Sequence, residues 1–294
     1  MNTNTEIKNA VREKYAEIAN HSKEQNLASC CGATSSCCGD GVYNIMADDY
    51  SKLEGYNPDA DLGLGCGLPT EFAKIKEGDT VIDLGSGAGN DAFVARKLTG
   101  EKGRVIGIDF TEPMIARARE NADTLGLNNV EFRLGDIDDM PVTANKADVI
   151  VSNCVLNLVP NKHKVFGEIY RVLKPGGHFS ISDIVLEGPL PEKWKHVAEL
   201  YAGCVSGANQ KNEYLSIIEE AGFKNMVLQK DKTINIPGDI LANYLSAEEI
   251  AEYKKGKTRI ASITVYAEKP AKLARLSHSG GDDRNCCEPG SGCC

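Results

Sequence analysis

The 294-residue chain predicts an α/β fold in which a mostly parallel sheet is covered by helices on both faces, and two observations carry that prediction. From about Lys74, short β-branched runs alternate with amphipathic segments: DTVIDLGSG, DAFVARKLTG, GRVIGIDF, TEPMIARARENADTLG and NVEFRLGD, then ADVIVSNCVL, HKVFGEIYRVL and GHFSISDIVL. Strands separated in this way by helices pair in parallel and are buried on each side. Late in the chain, KNMVLQKD and IASITVYAEK read as two further strands, expected to pair antiparallel at the sheet edge.

The remaining elements follow in order. Ile7, Ala10, Val11, Tyr15 and Ile18 stand at helical spacing, so a short amphipathic helix is expected over Glu6–Ala19. CCGATSSCC at 30–38 is rich in Gly, Ser and Thr and reads as a loop. Beyond Glu187, PLPEKWKHVAELYAGCVSGA and NEYLSIIEEAGF read as helices inserted before the last strands. Residues 271–294, ending CCEPGSGCC, have almost no large apolar side chain after Leu276 and are expected to be disordered. The expected divisions are 1–58 (helix and Cys-rich loop), 59–186 (α/β domain), 187–270 (helices and last two strands) and 271–294 (Cys-rich tail).

Composition narrows the function. A chain of 31.7 kDa can bury a core without staples, and eleven cysteines, about 4% of the residues, fall short of a small secreted disulfide scaffold. The first 25 residues contain no apolar signal region, and no stretch approaches the apolar length of a membrane span. A cytoplasmic, reducing location is therefore expected, where clustered cysteines more often serve metals or catalysis. The net charge of -9 argues against nucleic acid and favours a small substrate.

The candidate ligand site begins at VIDLGSGAGND. Asp83, Gly85, Ser86, Gly87 and Gly89 stand where the first strand meets its helix, where glycine lets backbone approach a ligand closely. The next strand ends at Asp109, twenty positions after Gly89, suited to accepting from ribose hydroxyls. The bland alternative for Asp109 is a helix cap, since Thr111 and Pro113 suit a helix start. In GDIDDMP, Asp136 can accept from an adenine amino group while the Ile137 N–H serves a ring nitrogen. Met114 fits the adenine face or the core equally well. The loop D-L-G-S-G-A-G resembles the D/E-x-G-x-G-x-G motif of class I S-adenosylmethionine-dependent methyltransferases, and RVLKPGGHFSISD resembles the turn before their fifth strand. That resemblance implies a Rossmann-like class I methyltransferase fold, with seven strands and an antiparallel edge strand. S-adenosylmethionine is the implied methyl donor, with Phe110 and Asn153 added to the residues expected to contact it and no tightly bound metal cofactor.

Three cysteines lie outside the CC pairs: Cys66 in DLGLGCGLPT, Cys154 in SNCVLNLVP and Cys204 in ELYAGCVSGA. Cys154 should stand at the carboxyl edge of the sheet, where ligands bind in open α/β folds. Cys204 also fits an apolar helix face, whereas Cys66, between glycines, is expected in a loop with little apolar company. Three converging thiolates without a fourth ligand suit a soft three-coordinate centre, of which trivalent arsenic is one. These segments resemble the arsenite S-adenosylmethionine methyltransferases over about residues 7–268. The resemblance implies that Cys66, Cys154 and Cys204 bind As(III) and that Cys30, or Cys31, joins a disulfide relay. Arsenite or its thiol conjugates are the implied substrate, and thioredoxin or glutathione the reductant. No general base is expected: the five histidines are scattered, and DDM at 138–140 reads as a solvated turn. Two other readings stay open: a class I methyltransferase acting on O, N or C of a small metabolite, with the cysteines in its core, and a thiol-rich metal-sequestering protein. Cys31, Cys37, Cys38, Cys286, Cys287, Cys293 and Cys294 have no assigned role, although mobile vicinal thiols can capture arsenite.

Overall fold

The structure, a computed structural model, describes residues 4–21, 48–189, 207–235, 242, 246–256 and 258–271. Both CC clusters, Cys204 and most of the segment that carries it lie outside the described residues. In chain order the elements are α1 (Asn4–Ala19), α2 (Pro69–Phe72), β1 (Thr80–Leu84), α3 (Asn90–Thr99), β2 (Arg104–Asp109), α4 (Glu112–Thr124) and β3 (Val130–Leu134). There follow β4 (Ala147–Asn153), α5 (Lys162–Val172), β5 (Leu173–Glu187), α6 (Lys211–Glu220), β6 (Lys224–Thr233), α7 (Ala247–Lys255) and β7 (Arg259–Glu268).

One seven-stranded sheet runs β3-β2-β1-β4-β5-β7-β6. The first five strands in that order pair in parallel; β7 is antiparallel to both β5 and β6. The two late strands thus pair antiparallel at the edge as the sequence predicts, with β7 inside and β6 outermost.

Because side chains alternate across a strand, neighbours on β1, β2 and β4 enter different cores. Val81, Val105, Val149 and Val151 pack on one face with Ala92 and Phe93 of α3 and with Met114 and Ile115 of α4. Ile82, Ile106 and Ile150 pack on the other with Phe166 and Ile169 of α5 and with Tyr214 and Ile218 of α6. Both faces being covered, the strand sequences are near-continuous apolar runs. Helix α1 is tied to α4 by Arg117, whose Nη1 donates to the carbonyls of Ala19 (3.0 Å) and His21 (2.7 Å). Strand order reverses between β1 and β4, β2 lying to one side of β1 and β4 to the other. A crevice outside their carboxyl ends is the expected ligand position in such a sheet.

Candidate active site

At that crevice lies a cavity of about 310 Å³, at the lower end of the usual range for small-molecule sites. The β1–α3 loop forms its floor. Gly85 and Gly89 adopt left-handed backbone (φ 66° and 102°), and a Cβ on Gly85 would stand 2.5 Å from Val155, so both conformation and space require glycine there. The Gly85 and Ser86 N–H groups donate to the Ile108 carbonyl (2.8 and 3.0 Å), fastening the loop to β2.

Asp109 stands two residues before Thr111, the N-cap of α4, and also lines the cavity. Its Oδ2 accepts from the Gly87 N–H (3.0 Å) and its Oδ1 from the Thr111 N–H (2.9 Å). Met114 likewise is both fully buried in the core and part of the cavity wall. Asp136, Ile137, Phe110 and Asn153 line the same cavity.

Asp83 is buried with no hydrogen-bond partner on Oδ2 among the described residues, and burial together with the charges of Asp91 and Asp109 pushes it well above the usual carboxylate range. Asp91, in the first turn of α3, is pushed up to about 6 by burial, against hydrogen bonds from Tyr50 and Asn153. The Tyr50 hydroxyl donates to both Asp91 oxygens (2.9 and 2.8 Å) and lies 3.1 Å from the Gly67 carbonyl. Sequence reasoning missed both residues. The acid two positions after Gly89 is a signal that a closer reading of GAGND would find; Tyr50 has none. Buried carboxyls that burial keeps from ionising gain the most from a cationic partner, so the cluster suits a ligand whose end is cationic.

The thiols stand at the adjoining edge. Cys154 follows β4 in left-handed backbone (φ 61°), lines the cavity, and donates its N–H to the Ser182 carbonyl (2.8 Å). Cys66 is brought beside it by Asn153: Oδ1 accepts from the N–H groups of Cys66 (2.9 Å) and Gly67 (3.2 Å), while Nδ2 donates to the Gly67 carbonyl (2.8 Å). Neither cysteine is in a disulfide, and both are buried, at 1% and 4% exposure. Cys66 does lie in a loop, as expected, but the loop is packed into the interior rather than lacking company. The flanking glycines let the loop press onto the sheet: a Cβ on Gly67 would meet Ser182 Oγ at 2.5 Å, and Ser262 Oγ donates to the Cys66 carbonyl (2.5 Å). The Tyr214 hydroxyl is within electrostatic reach of both thiols. Burial, Asp183 and then the two cysteines raise its pKa, and it donates to Asp183 Oδ2 (3.0 Å). Burial pushes Asp183 itself up to about 7, against the charge of Lys162 and the Tyr214 bond.

A second correction concerns residues 138–140. Asp138 is buried rather than solvated, because Lys8 of α1 and Lys164 of α5 reach it with ammonium groups at 2.7 and 3.3 Å. Among the described residues no helix is long and apolar enough to cross a membrane. Cys204 and Cys30 lie outside the described residues.

Residues 75–222 match the model of a methyltransferase domain. An arsenite methyltransferase from Halobacterium salinarum is 38% identical over 91% of this chain and 68% of its own length. Another from Aquipseudomonas alcaligenes is 33% identical over 80% of this chain and 67% of its own. A crystal structure of an arsenic(III) S-adenosylmethionine methyltransferase from Chlamydomonas reinhardtii is 33% identical. It superposes with a TM-score of 0.59 over 78% of this chain and 73% of that one.

Proposed function

This chain belongs to the arsenite methyltransferase family and is an S-adenosylmethionine-dependent enzyme; on that premise we propose that it methylates trivalent arsenic held by the thiolates of Cys66, Cys154 and Cys204. The observation that carries this reading is that Asn153, which precedes the cavity-lining Cys154, accepts from the backbone N–H of Cys66, 87 positions away, so that the two buried thiol residues flank one side chain.

The residues around the cavity fit the cofactor. The orphaned Asp83 oxygen and the glycine loop that a Cβ would obstruct are the features an S-adenosyl group needs. Asp109 is read as the acceptor for ribose hydroxyls, Asp136 and the Ile137 N–H as partners of the adenine edge, and Asp83 with Asp91 as the carboxyls that the cationic end ionises when it faces them. When bound, S-adenosylmethionine supplies a methyl group activated by its sulfonium.

Arsenite arrives as its neutral hydroxide or as a thiol conjugate. At each exchange an As–S bond forms, an As–O or As–S bond breaks, and the departing group takes the thiol proton. Arsenic then attacks through its own lone pair, which carries no proton, so this step calls for no general base. Holding the acceptor on the protein removes the translational cost of the encounter, worth several kcal/mol at near-attack geometry. Gaining the methyl group leaves arsenic formally pentavalent. The Cys30 thiolate attacks the Cys66 sulfur, the bond from that sulfur to arsenic breaks with its electron pair returning to arsenic, and thioredoxin or glutathione reopens the resulting disulfide.

The test is mass spectrometry of the products formed from arsenite, thiol and S-adenosylmethionine. Cys154→Ser and Cys204→Ser variants should yield no methylated arsenic while binding the cofactor normally. An active double variant would refute the three-thiolate site.

A further inference from the structure

Lys8 sits on α1, outside the α/β unit, yet it lines the cofactor cavity and its Nζ lies 2.7 Å from both Asp136 Oδ2 and Asp138 Oδ2. The two carboxylates flank Ile137 on a tight turn, in which the Asp139 N–H donates to the Asp136 carbonyl (3.2 Å) and the Asp138 N–H to Asp136 Oδ1 (3.2 Å). Like charges two residues apart repel, and a cation bridging them removes the repulsion while fixing the turn. The geometry points to Lys8 as a cofactor-positioning residue that clamps Asp136–Ile137–Asp138 in the shape that meets the adenine ring, making the N-terminal helix part of the cofactor site. The inference rests on the reading of Asp136 and Ile137 as the adenine partners.

Asymmetry within the clamp identifies what Lys8 controls. Asp138 is held from two sides, by Lys8 and by Lys164, and against burial the two cations keep it below the usual carboxylate range. Asp136 has an ammonium partner from α1 alone among the described residues. Loss of Lys8 therefore releases the Asp136 carboxylate, while Lys164 still retains Asp138. The Lys8 side chain is 23% exposed and that of Asp138 11%, so the pairs are partly desolvated and worth more than surface pairs. One turn further along α1, the Arg12 guanidinium lies 5.2 Å from the centroid of Phe110, another cavity residue, which ties the helix to the same end of the site.

A purely structural lysine would alter stability without regard to the base. A positioning lysine alters recognition of the adenine amino group, which Asp136 accepts and which hypoxanthine lacks. The experiment measures dissociation constants of the full chain for S-adenosylhomocysteine and its deaminated analogue S-inosylhomocysteine, with kcat and KM for S-adenosylmethionine and circular dichroism to establish folding. Wild type should prefer the adenosyl form by roughly tenfold or more, one charge-assisted hydrogen bond being worth about that. Lys8→Met should weaken adenosyl binding about tenfold, shrink the preference, raise KM for S-adenosylmethionine by more than it lowers kcat, and be rescued by Lys8→Arg. Should Lys8→Met disturb folding, Lys8→Gln keeps the stem and removes the charge, with the same expectation. If Asp136→Ala abolishes the preference but Lys8→Met and Lys8→Gln leave it intact, the clamp is wrong and the adenine reading stands. If Asp136→Ala leaves the preference unchanged, the adenine reading fails and the inference falls with it.

Discussion

Burial of Asp91 makes a definite prediction about pH. Its carboxyl titrates at about 6 in the folded chain against an ordinary 3.8. Between those values the folded chain binds more protons than the unfolded one, so this group's contribution to stability is full below pH 3.8 and is lost as pH rises through 6. A displacement of about 2 units corresponds to about 3 kcal/mol, of which about 2 kcal/mol falls between pH 4.5 and 7. Asp91→Asn cannot ionise, and its amide oxygen can still accept the Tyr50 hydroxyl. The variant should therefore gain on wild type by about 2 kcal/mol across that range in urea unfolding of the cofactor-free protein. Taking the difference between variant and wild type cancels the groups that Asp91 does not influence. Glu131 and Glu168, held low by Arg133 and Arg171, lose stability as pH falls below the ordinary carboxylate range. Asp183, pushed up to about 7, adds a slope of the same sign as Asp91 in both proteins. Saturating S-adenosylmethionine should flatten the wild-type slope more than S-adenosylhomocysteine, which lacks the sulfonium charge, because a cation favours the ionised carboxyl. A stability difference between variant and wild type that is constant from pH 4.5 to 7 would refute the reasoning.

Two further outcomes are expected. Gly67→Ala drives a Cβ to 2.5 Å from Ser182 Oγ and 2.7 Å from its Cβ; it should cost about 1–3 kcal/mol in thermal unfolding and weaken arsenite binding more than cofactor binding, with Ser182→Gly restoring part of both. Cys30→Ala should slow repeated turnover or remove the first methylation in quenched time courses; unchanged multiple-turnover kinetics would exclude the relay.

What the sequence determined by itself was whatever depends on a few neighbouring residues. The strands at TVIDL, RVIGID and ADVIVSN, the glycine loop after β1 and the start of α4 at Thr111 and Pro113 were legible because strand period, left-handed glycine and helix-start chemistry are local properties of the chain. Local order also placed Cys154 at the carboxyl edge of β4 and Asp109 at the end of β2. Tertiary structure alone decided what those residues experience. Tyr50 meets Asp91 across 41 positions, and Lys8 meets Asp138 across 130. No periodicity links such partners, so Asp138 read as solvated and Cys66 as lacking apolar company, although α1, α5 and the sheet edge bury them. Burial and charge are set by whichever distant segments close over a residue. The pattern of the chain therefore named the acids and thiols of the site, while the fold determined which carboxylates are held protonated, which are clamped by lysine, and which two thiol residues are buried on either side of Asn153.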